Sequence, residues 1–296
     1  MNQASQYKSH YLIIPSTPMD EATIERPETN NPTPIAPHLG ALLRGVKLGA
    51  PLDEVSLAVI RSALERHLVL VLPDQDLTPV ALRDFVAHFG PLFIHHADQG
   101  VLYADGVPEV LEMRKEPDGE RLFGGSDWHA DVTFRKPGGF VSVLHALTIP
   151  PVGGDTAFAS TIAAFEALSP GMQACLRALE AVHSYDGPGQ PDHPSQSATH
   201  PVVRRHPETS AEGIYLNRMF VTHFAGWTPE ESRSLIDFLD KHMTQPEFTC
   251  RVGWEKGHVV MWDNRFTLHY PINDFTGHHR LLIRCTALEQ PITRPE

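Results

Sequence analysis

Residues 280–288 read Arg-Leu-Leu-Ile-Arg-Cys-Thr-Ala-Leu, and their alternation is typical of a β-strand. Successive side chains of a strand point to opposite faces of the sheet, so one face is polar at Arg280 and Arg284 and the other is apolar. Four residues of strand separate the two arginines by about 13 Å, at about 3.3 Å per residue. The segment therefore predicts a strand that presents two guanidinium groups on one side, far enough apart for two different anions.

The rest of the chain combines strand patterns with a smaller number of helix patterns. Residues 53–67 have apolar residues at helical spacing behind an acidic first turn, and residues 68–72 have the composition of a buried strand. Further helices are predicted at residues 79–89, 162–168, 170–179 and 229–242. Most other segments beyond residue 110 are short and β-rich. This pattern favours a mainly β fold with helices, such as a β-sandwich or jelly roll, over a doubly wound parallel sheet.

Two segments lack any helical or strand period. Residues 15–37 are rich in proline, threonine, asparagine and acidic residues, so we expect residues 1–37 to form a flexible N-terminal extension and residues 38–296 to form a single domain. Residues 186–200 are dominated by glycine, proline, serine and glutamine. They predict a surface loop, with a lid as a further hypothesis.

Charge and cysteine usage restrict the class of protein. The formal net charge of -12 repels phosphate backbones and anionic membranes. The three widely spaced cysteines, Cys175, Cys250 and Cys285, indicate neither a disulfide framework nor a thiolate zinc site. No apolar run is long enough to cross a bilayer. We expect a cytoplasmic protein that acts on a small molecule, with no nucleic acid or membrane partner; a homo-oligomer is left open.

A candidate metal site begins at Trp128-His129-Ala130-Asp131. In an extended segment the side chains of His129 and Asp131 point to the same face and can reach one ion. A second histidine, His269, lies far downstream. Two histidines and one carboxylate form the ligand set of non-heme ferrous sites that keep coordination positions open. The pattern predicts an iron-dependent oxygenase.

Four blocks of the sequence resemble the taurine dioxygenase family of iron(II)- and 2-oxoglutarate-dependent dioxygenases. They are Asp-Trp-His-Ala-Asp-Val-Thr-Phe at 127–134, Gly-Gly-Asp-Thr at 153–156, His-Pro-Val-Val-Arg at 200–204 and Trp-Asp-Asn-Arg at 262–265. The resemblance covers almost everything from about Leu39 onward. It implies a double-stranded β-helix (jelly roll) core, with Fe(II), 2-oxoglutarate and O2 as cofactor and co-substrates.

The same resemblance implies residue roles. His129, Asp131 and His269 match the iron ligands, and Thr156 and Arg280 match the residues that bind the far carboxylate of 2-oxoglutarate. A guanidinium suits that role because it can hold a carboxylate through two parallel hydrogen bonds.

Two further residues are expected to recognise the prime substrate. Arg284 shares a strand face with the co-substrate arginine and is expected to face an acidic group. His95 matches a histidine that contacts the substrate sulfonate in taurine dioxygenase, so it is expected to recognise an anion together with Arg284. Two departures argue against taurine itself: Gly125 stands in place of a substrate-contacting asparagine, and Asp98 stands in place of a tyrosine.

Residues 121–134 and 248–252 look more like the aryloxyalkanoate (phenoxypropionate-type) members, whose substrates carry a carboxylate. We therefore expect hydroxylation of a small acidic compound of the aryloxyalkanoate, sulfonate or sulfate ester type, while 2-oxoglutarate becomes succinate and CO2. An intermediate of secondary metabolism or one derived from an amino acid is the alternative substrate.

Two functions from other classes are alternatives. Two histidines and a carboxylate can also hold zinc in a hydrolase, although the chain has no HExxH motif and that reading gives Arg280 and Thr156 no role. The second alternative is a β-helix binding protein without catalysis, which the retention of every ligand argues against. Asp263 and Asn264 are expected to brace the backbone, as short polar side chains commonly do.

Overall fold

The computed structural model of the protein describes residues 31–49, 51–95, 102–119, 127–185 and 196–290. Within these ranges the chain is mostly β-structure with five α-helices. The helices are α1 (Glu54–His67), α2 (Pro79–Ala87), α3 (Thr161–Glu166), α4 (Pro170–Arg177) and α5 (Pro229–Met243). The strands are β1 (Thr33–Pro34), β2 (Ala41–Leu42), β3 (Val69–Leu72), β4 (Leu111–Lys115), β5 (Gly139–Thr148), β6 (Thr156–Ser160), β7 (Glu180–Tyr185), β8 (Gln196–Pro201), β9 (Val203–Arg205), β10 (Glu212–Ile214), β11 (Val221–Phe224), β12 (Thr249–Val252), β13 (Val259–Asp263), β14 (Thr267–Pro271) and β15 (Arg280–Leu288).

All five predicted helices are present, with ends that differ from the prediction by one or two residues. Their starts follow from local chemistry, because the side chain of the residue before the helix accepts a hydrogen bond from a free amide of the first turn. Asp53 does so for α1, Thr78 for α2 and Thr228 for α5. A proline also occupies the first turn of α2 and of α5, where its fixed backbone angle suits a helix.

Two sheets build the body of the fold. The large sheet has seven strands in the order β1-β2-β3-β13-β5-β15-β4, and the small sheet has the order β12-β6-β14. Neighbouring strands in both are antiparallel, except for the parallel pair β2 and β3. A third sheet, β11-β7-β8, and the pair β9 and β10 flank them.

The two main sheets face each other across a shared apolar interior. Leu282 of β15 and Trp262 of β13 pack there against Phe158 of the small sheet. On the opposite face of the large sheet, Ile283 and Cys285 belong to a second cluster with residues of α1 and α2. The alternation predicted for residues 280–288 is therefore confirmed, and it turns the even-numbered residues, including both arginines, towards the space between the sheets.

Two segments differ from the expectations. Gln196–Pro201 is strand β8, which pairs with β7, although residues 196–200 belong to the predicted loop; residues 186–195 are outside the described residues. Pairing with a neighbouring strand thus decides the conformation here, against a polar composition that is typical of turns. Thr33–Pro34, which lies within the expected extension, pairs with Ala41–Leu42, which lies beyond it. No helix in the described part of the chain has the length and apolar character that crossing a membrane requires.

Candidate metal centre

Backbone pairing brings the two remote histidines together. His129 and His269 form an antiparallel bridge in which each backbone amide donates to the carbonyl of the other, at 3.0 and 2.7 Å. Asp131 lies two residues beyond His129, and all three side chains are buried. One potential ligand atom from each of the three residues lies within 4.8 Å of the other two.

Both imidazoles are held in the neutral form that binds metals. Burial lowers the pKa of His129, and burial together with the neighbouring His129 ring lowers the pKa of His269 well below its usual value. The Nδ1 atom of His129 lies 2.9 Å from the carbonyl oxygen of Asp127, which fixes the ring and leaves Nε2 directed towards Asp131, 3.9 Å from its Oδ1.

Asp131 supplies the negative charge of the centre. Burial by itself raises the pKa of its carboxyl, but the Arg284 guanidinium and the hydrogen bond from Ser142 act against burial, and the pKa lies below its ordinary value. Oδ1 accepts a hydrogen bond from Arg284 Nη1 at 3.1 Å, and Oδ2 accepts one from Ser142 Oγ at 2.6 Å. Two neutral imidazoles and one carboxylate fit a divalent ion such as ferrous iron.

A buried polar network positions the Asp131 carboxylate. Asn264 Oδ1 accepts hydrogen bonds from the Asp131 backbone amide and from Trp262 Nε1, both at 2.9 Å, and Asn264 Nδ2 donates to Ser142 Oγ at 2.9 Å. Ser142 Oγ also lies 2.9 Å from Thr286 Oγ1. Asn264 thus braces the backbone as the sequence predicts. Sequence reasoning missed Ser142, whose signal was a lone serine within the apolar strand β5.

Thr156 and Arg280, the predicted co-substrate residues, meet at one indole. Thr156 is buried on β6, and its Oγ1 accepts a hydrogen bond from Trp254 Nε1 at 3.1 Å. The Arg280 guanidinium carbon lies 5.7 Å from the centroid of the Trp254 ring and 5.7 Å from that of Phe275. Trp254 and Phe275 were not foreseen, because an isolated aromatic residue in the sequence indicates packing and nothing more specific.

Arg280 is a buried cation without a close anion in the described residues. Its Nε has no hydrogen-bond partner there, and no carboxylate of those residues forms an ion pair with it. Burial lowers the pKa of Arg280 to about 10, partly offset by the charge of Asp155. Because a buried charge is costly unless it is paired, this position suits an anionic ligand.

The two predicted substrate residues contact each other beside the metal ligands. Arg284 Nη2 lies 3.1 Å from His95 Nε2, while Nη1 of the same guanidinium reaches Asp131. The sequence assigned Arg284 to a substrate anion alone, and the structure adds the ion pair with Asp131. The residues 98 and 125, at which the sequence departs from taurine dioxygenase, lie outside the described residues.

An apolar wall adjoins both the candidate metal ligand His129 and the His95 ring. It is a cluster of buried side chains formed by Phe93, Val132, Phe134 and Phe220. The Phe220 ring lies 6.5 Å from the His129 ring, and the Phe93 ring lies 4.6 Å from the His95 ring. We call this cluster the aromatic wall.

Comparisons with known proteins agree on one family. The family described as taurine catabolism dioxygenase TauD, TfdA family matches residues 31–286. An alkylsulfatase of Acinetobacter baylyi is 34% identical over 86% of this chain and 84% of its own. An alpha-ketoglutarate-dependent sulfate ester dioxygenase of Pseudomonas putida is 34% identical over 88% and 90%. An (S)-phenoxypropionate/alpha-ketoglutarate-dioxygenase of Sphingobium herbicidovorans is 32% identical over 80% of this chain and 87% of its own.

A solved structure agrees in the fold as well. The crystal structure of a taurine dioxygenase from Burkholderia xenovorans superposes with a TM-score of 0.77 at 36% identity, over 88% of this chain and 89% of the other. Since the family match covers most of the sequence, this chain belongs to the TauD, TfdA family of dioxygenases.

Proposed function

We propose that this 2-oxoglutarate-dependent dioxygenase hydroxylates a small organic anion at a carbon held beside His129, Asp131 and His269. The observation that carries the proposal is the convergence of these three side chains within 4.8 Å, next to a guanidinium that can bind an anionic substrate. The aromatic wall supports an apolar substrate body, because its rings adjoin both His129 and His95.

The ion would be Fe(II), held by the two imidazoles and the Asp131 carboxylate. Bound together with 2-oxoglutarate and O2, it would supply the oxidising chemistry that converts a substrate C–H bond to C–OH while 2-oxoglutarate becomes succinate and CO2. Arg280 and Thr156 would hold the far carboxylate of 2-oxoglutarate, which gives the buried Arg280 charge its counterion.

Arg284 would bind the anionic group of the substrate together with His95. A guanidinium carries five N–H donors, so Arg284 can keep its hydrogen bond to Asp131 and still present donors to a ligand. Arg284 is only 7% exposed, and a guanidinium shielded from water attracts an anion more strongly.

Three substrate types fit these contacts: sulfate esters, sulfonates and aryloxyalkanoates. The names of the relatives support sulfate esters first, since the alkylsulfatase and the sulfate ester dioxygenase are both 34% identical to this chain. When the hydroxylated carbon bears the ester or ether oxygen, the product collapses to a carbonyl compound and releases sulfate or a phenol.

The test is a screen of alkyl sulfates, alkylsulfonates and phenoxyalkanoates for substrate-stimulated oxygen uptake and succinate formation. We expect at least one class to stimulate both, and we expect His129→Ala or Asp131→Ala to abolish succinate formation in a folded protein. Arg284→Met should raise the KM for the accepted anion by about tenfold or more, as expected for loss of a charge-assisted hydrogen bond. Zinc-dependent product release without oxygen consumption would instead support a hydrolase.

We also propose that the large and small sheets form a double-stranded β-helix core, within one domain of residues 38–296 that works in the cytoplasm. The shared apolar interior between the two sheets supports the first part. The three separate free cysteines and the acidic charge support a reducing compartment and a small-molecule substrate.

A further inference from the structure

We propose that Lys115 is a second cation for the far carboxylate of 2-oxoglutarate, beside Arg280. The inference rests on the proposed function, because it takes 2-oxoglutarate as the ligand that Arg280 and Thr156 bind. Lys115 would make the enzyme selective for keto acids that carry a second carboxylate.

Strand register places Lys115 and Arg280 opposite each other on neighbouring strands. Lys115 on β4 lies directly opposite Arg280 on β15, and Met113 lies opposite Leu282. Met113 and Leu282 both pack in the interior between the sheets, so Lys115 and Arg280, two residues along on each strand, face the same interior. The β-carbons of directly opposite residues in an antiparallel pair are about 4.5–5.5 Å apart.

The two cationic groups also adjoin the same ring. Lys115 Nζ lies 4.2 Å from the centroid of Phe275, and the Arg280 guanidinium carbon lies 5.7 Å from it. Lys115 is only 5% exposed and Arg280 only 3%. The side chains therefore share one buried compartment at the end of β4.

Their neighbours in the described residues do not neutralise this pair of charges. Lys115 Nζ donates a hydrogen bond at 2.7 Å to the Oδ1 atom of Asn273, which is a neutral amide. No carboxylate of the described residues forms an ion pair with Lys115 or Arg280, and Asp155, which influences Arg280 through space, is hydrogen-bonded to Arg251.

Burying two cations in one compartment is costly, because burial removes their hydration. A carboxylate that both of them contact would relieve this cost. Its two oxygens can accept about four hydrogen bonds, enough for the Arg280 guanidinium, the Thr156 hydroxyl and the Lys115 ammonium. A bound keto acid without the far carboxylate would leave both cations unpaired.

The test compares three proteins: the wild type, Lys115→Met and Arg114→Met. The Kd of each Fe(II)-loaded enzyme for 2-oxoglutarate is measured without oxygen, from the visible absorption of the chelate. Arg114 is the matched control, since it is the next residue on β4 but its side chain is 41% exposed and pairs with Glu112. We expect Lys115→Met to raise the Kd by about tenfold to a hundredfold, the range of a charge-assisted hydrogen bond. Arg114→Met should change it by less than about twofold, since exposed ion pairs contribute little.

The keto acid 2-oxovalerate, which has the same carbon chain without the far carboxylate, separates this contact from general damage. Lys115→Met should bind 2-oxovalerate as tightly as the wild type does. Lys115→Gln, which keeps a donor for Asn273, gives the same comparison if the methionine variant is unstable. Unchanged 2-oxoglutarate affinity, or equal losses for both keto acids, would overturn the role of Lys115; a wild type that binds no 2-oxoglutarate would overturn the proposed function instead.

Discussion

At the scale of single residues, two buried neighbours, Ser142 and Asn264, hold Asp131 in place. Ser142 donates to one of its oxygens, and Asn264 accepts from its backbone amide. Partners of this kind orient a ligand, and their loss typically weakens metal binding by tenfold to a hundredfold. Ser142 joins both contacts, because its hydroxyl also accepts from the Asn264 amide.

Ser142→Ala should therefore weaken metal binding. The substitution leaves Asp131 Oδ2 without its buried donor and Asn264 Nδ2 with a single longer contact, to the Phe140 carbonyl at 3.4 Å. We expect the Kd for Co(II), a stable substitute for Fe(II), to rise by about tenfold to a hundredfold in an equilibrium titration. Ser169→Ala, which removes an exposed helix-capping hydroxyl on α4, is the control and should leave the Kd unchanged. Equal affinities in all three proteins would show that the Ser142 hydroxyl does not position Asp131.

At the scale of secondary structure, the turn between β12 and β13 connects the two sheets beside Thr156 and Arg280, the proposed co-substrate residues. Trp254 lies in this turn, donates to Thr156 on β6 and stacks near Arg280 on β15. One indole thus sets the rotamer of the Thr156 hydroxyl and covers the guanidinium. A substitution can separate its two contributions, the N–H donor to Thr156 and the aromatic surface near Arg280.

Trp254→Phe removes the N–H donor and keeps an aromatic surface for Arg280. We expect a rise in the Kd for 2-oxoglutarate of about threefold to tenfold, the value of one neutral hydrogen bond, measured by the anaerobic absorption titration. Trp227→Phe, at a partly exposed tryptophan before α5, is the matched control. A Trp254→Phe variant with wild-type affinity would mean that Thr156 needs no orienting donor.

The sequence predicted features that are local and left out those that depend on register. The two faces of residues 280–288 and the five helices follow from short-range spacing, and both are present. The ligand set of His129, Asp131 and His269 could be expected from residue types and resemblance. The backbone bridge that joins the two histidines could not, since no spacing rule joins segments so far apart. The proposed role of Lys115 could not be predicted from the sequence, because it depends on the pairing of β4 with β15.

At the scale of the whole molecule, buried histidines tie stability to pH. His183 is fully buried, its Nδ1 lies 2.9 Å from Thr133 Oγ1, and its Nε2 has no hydrogen-bond partner in the described residues. Burial, aided by the charges of His200 and Arg204, lowers the pKa of His183 to about 3 from 6.5. Between these values the unfolded chain binds a proton that the folded chain does not, so this residue destabilises the fold as the pH decreases.

His183→Gln should flatten the pH dependence of the free energy of unfolding. Each proton bound only by the unfolded state changes that free energy by about 1.4 kcal/mol per pH unit, so the slope between about pH 6.5 and 3 should fall by up to that amount. Urea unfolding at several pH values measures the slope, and the exposed His88→Gln is the control. An unchanged slope in His183→Gln would mean that another group causes this part of the pH dependence.

The main-chain bridge between His129 and His269 has a consequence for the choice of ion. Mutual amide-to-carbonyl bonds fix the spacing of the two backbone segments that carry the imidazoles. For a given set of nitrogen and oxygen donors, the affinity of first-row divalent metals follows the chemistry of the metal, and selection between them depends on geometry and on metal availability. The supply of each metal inside the producing cell should then decide which one the freshly isolated protein carries.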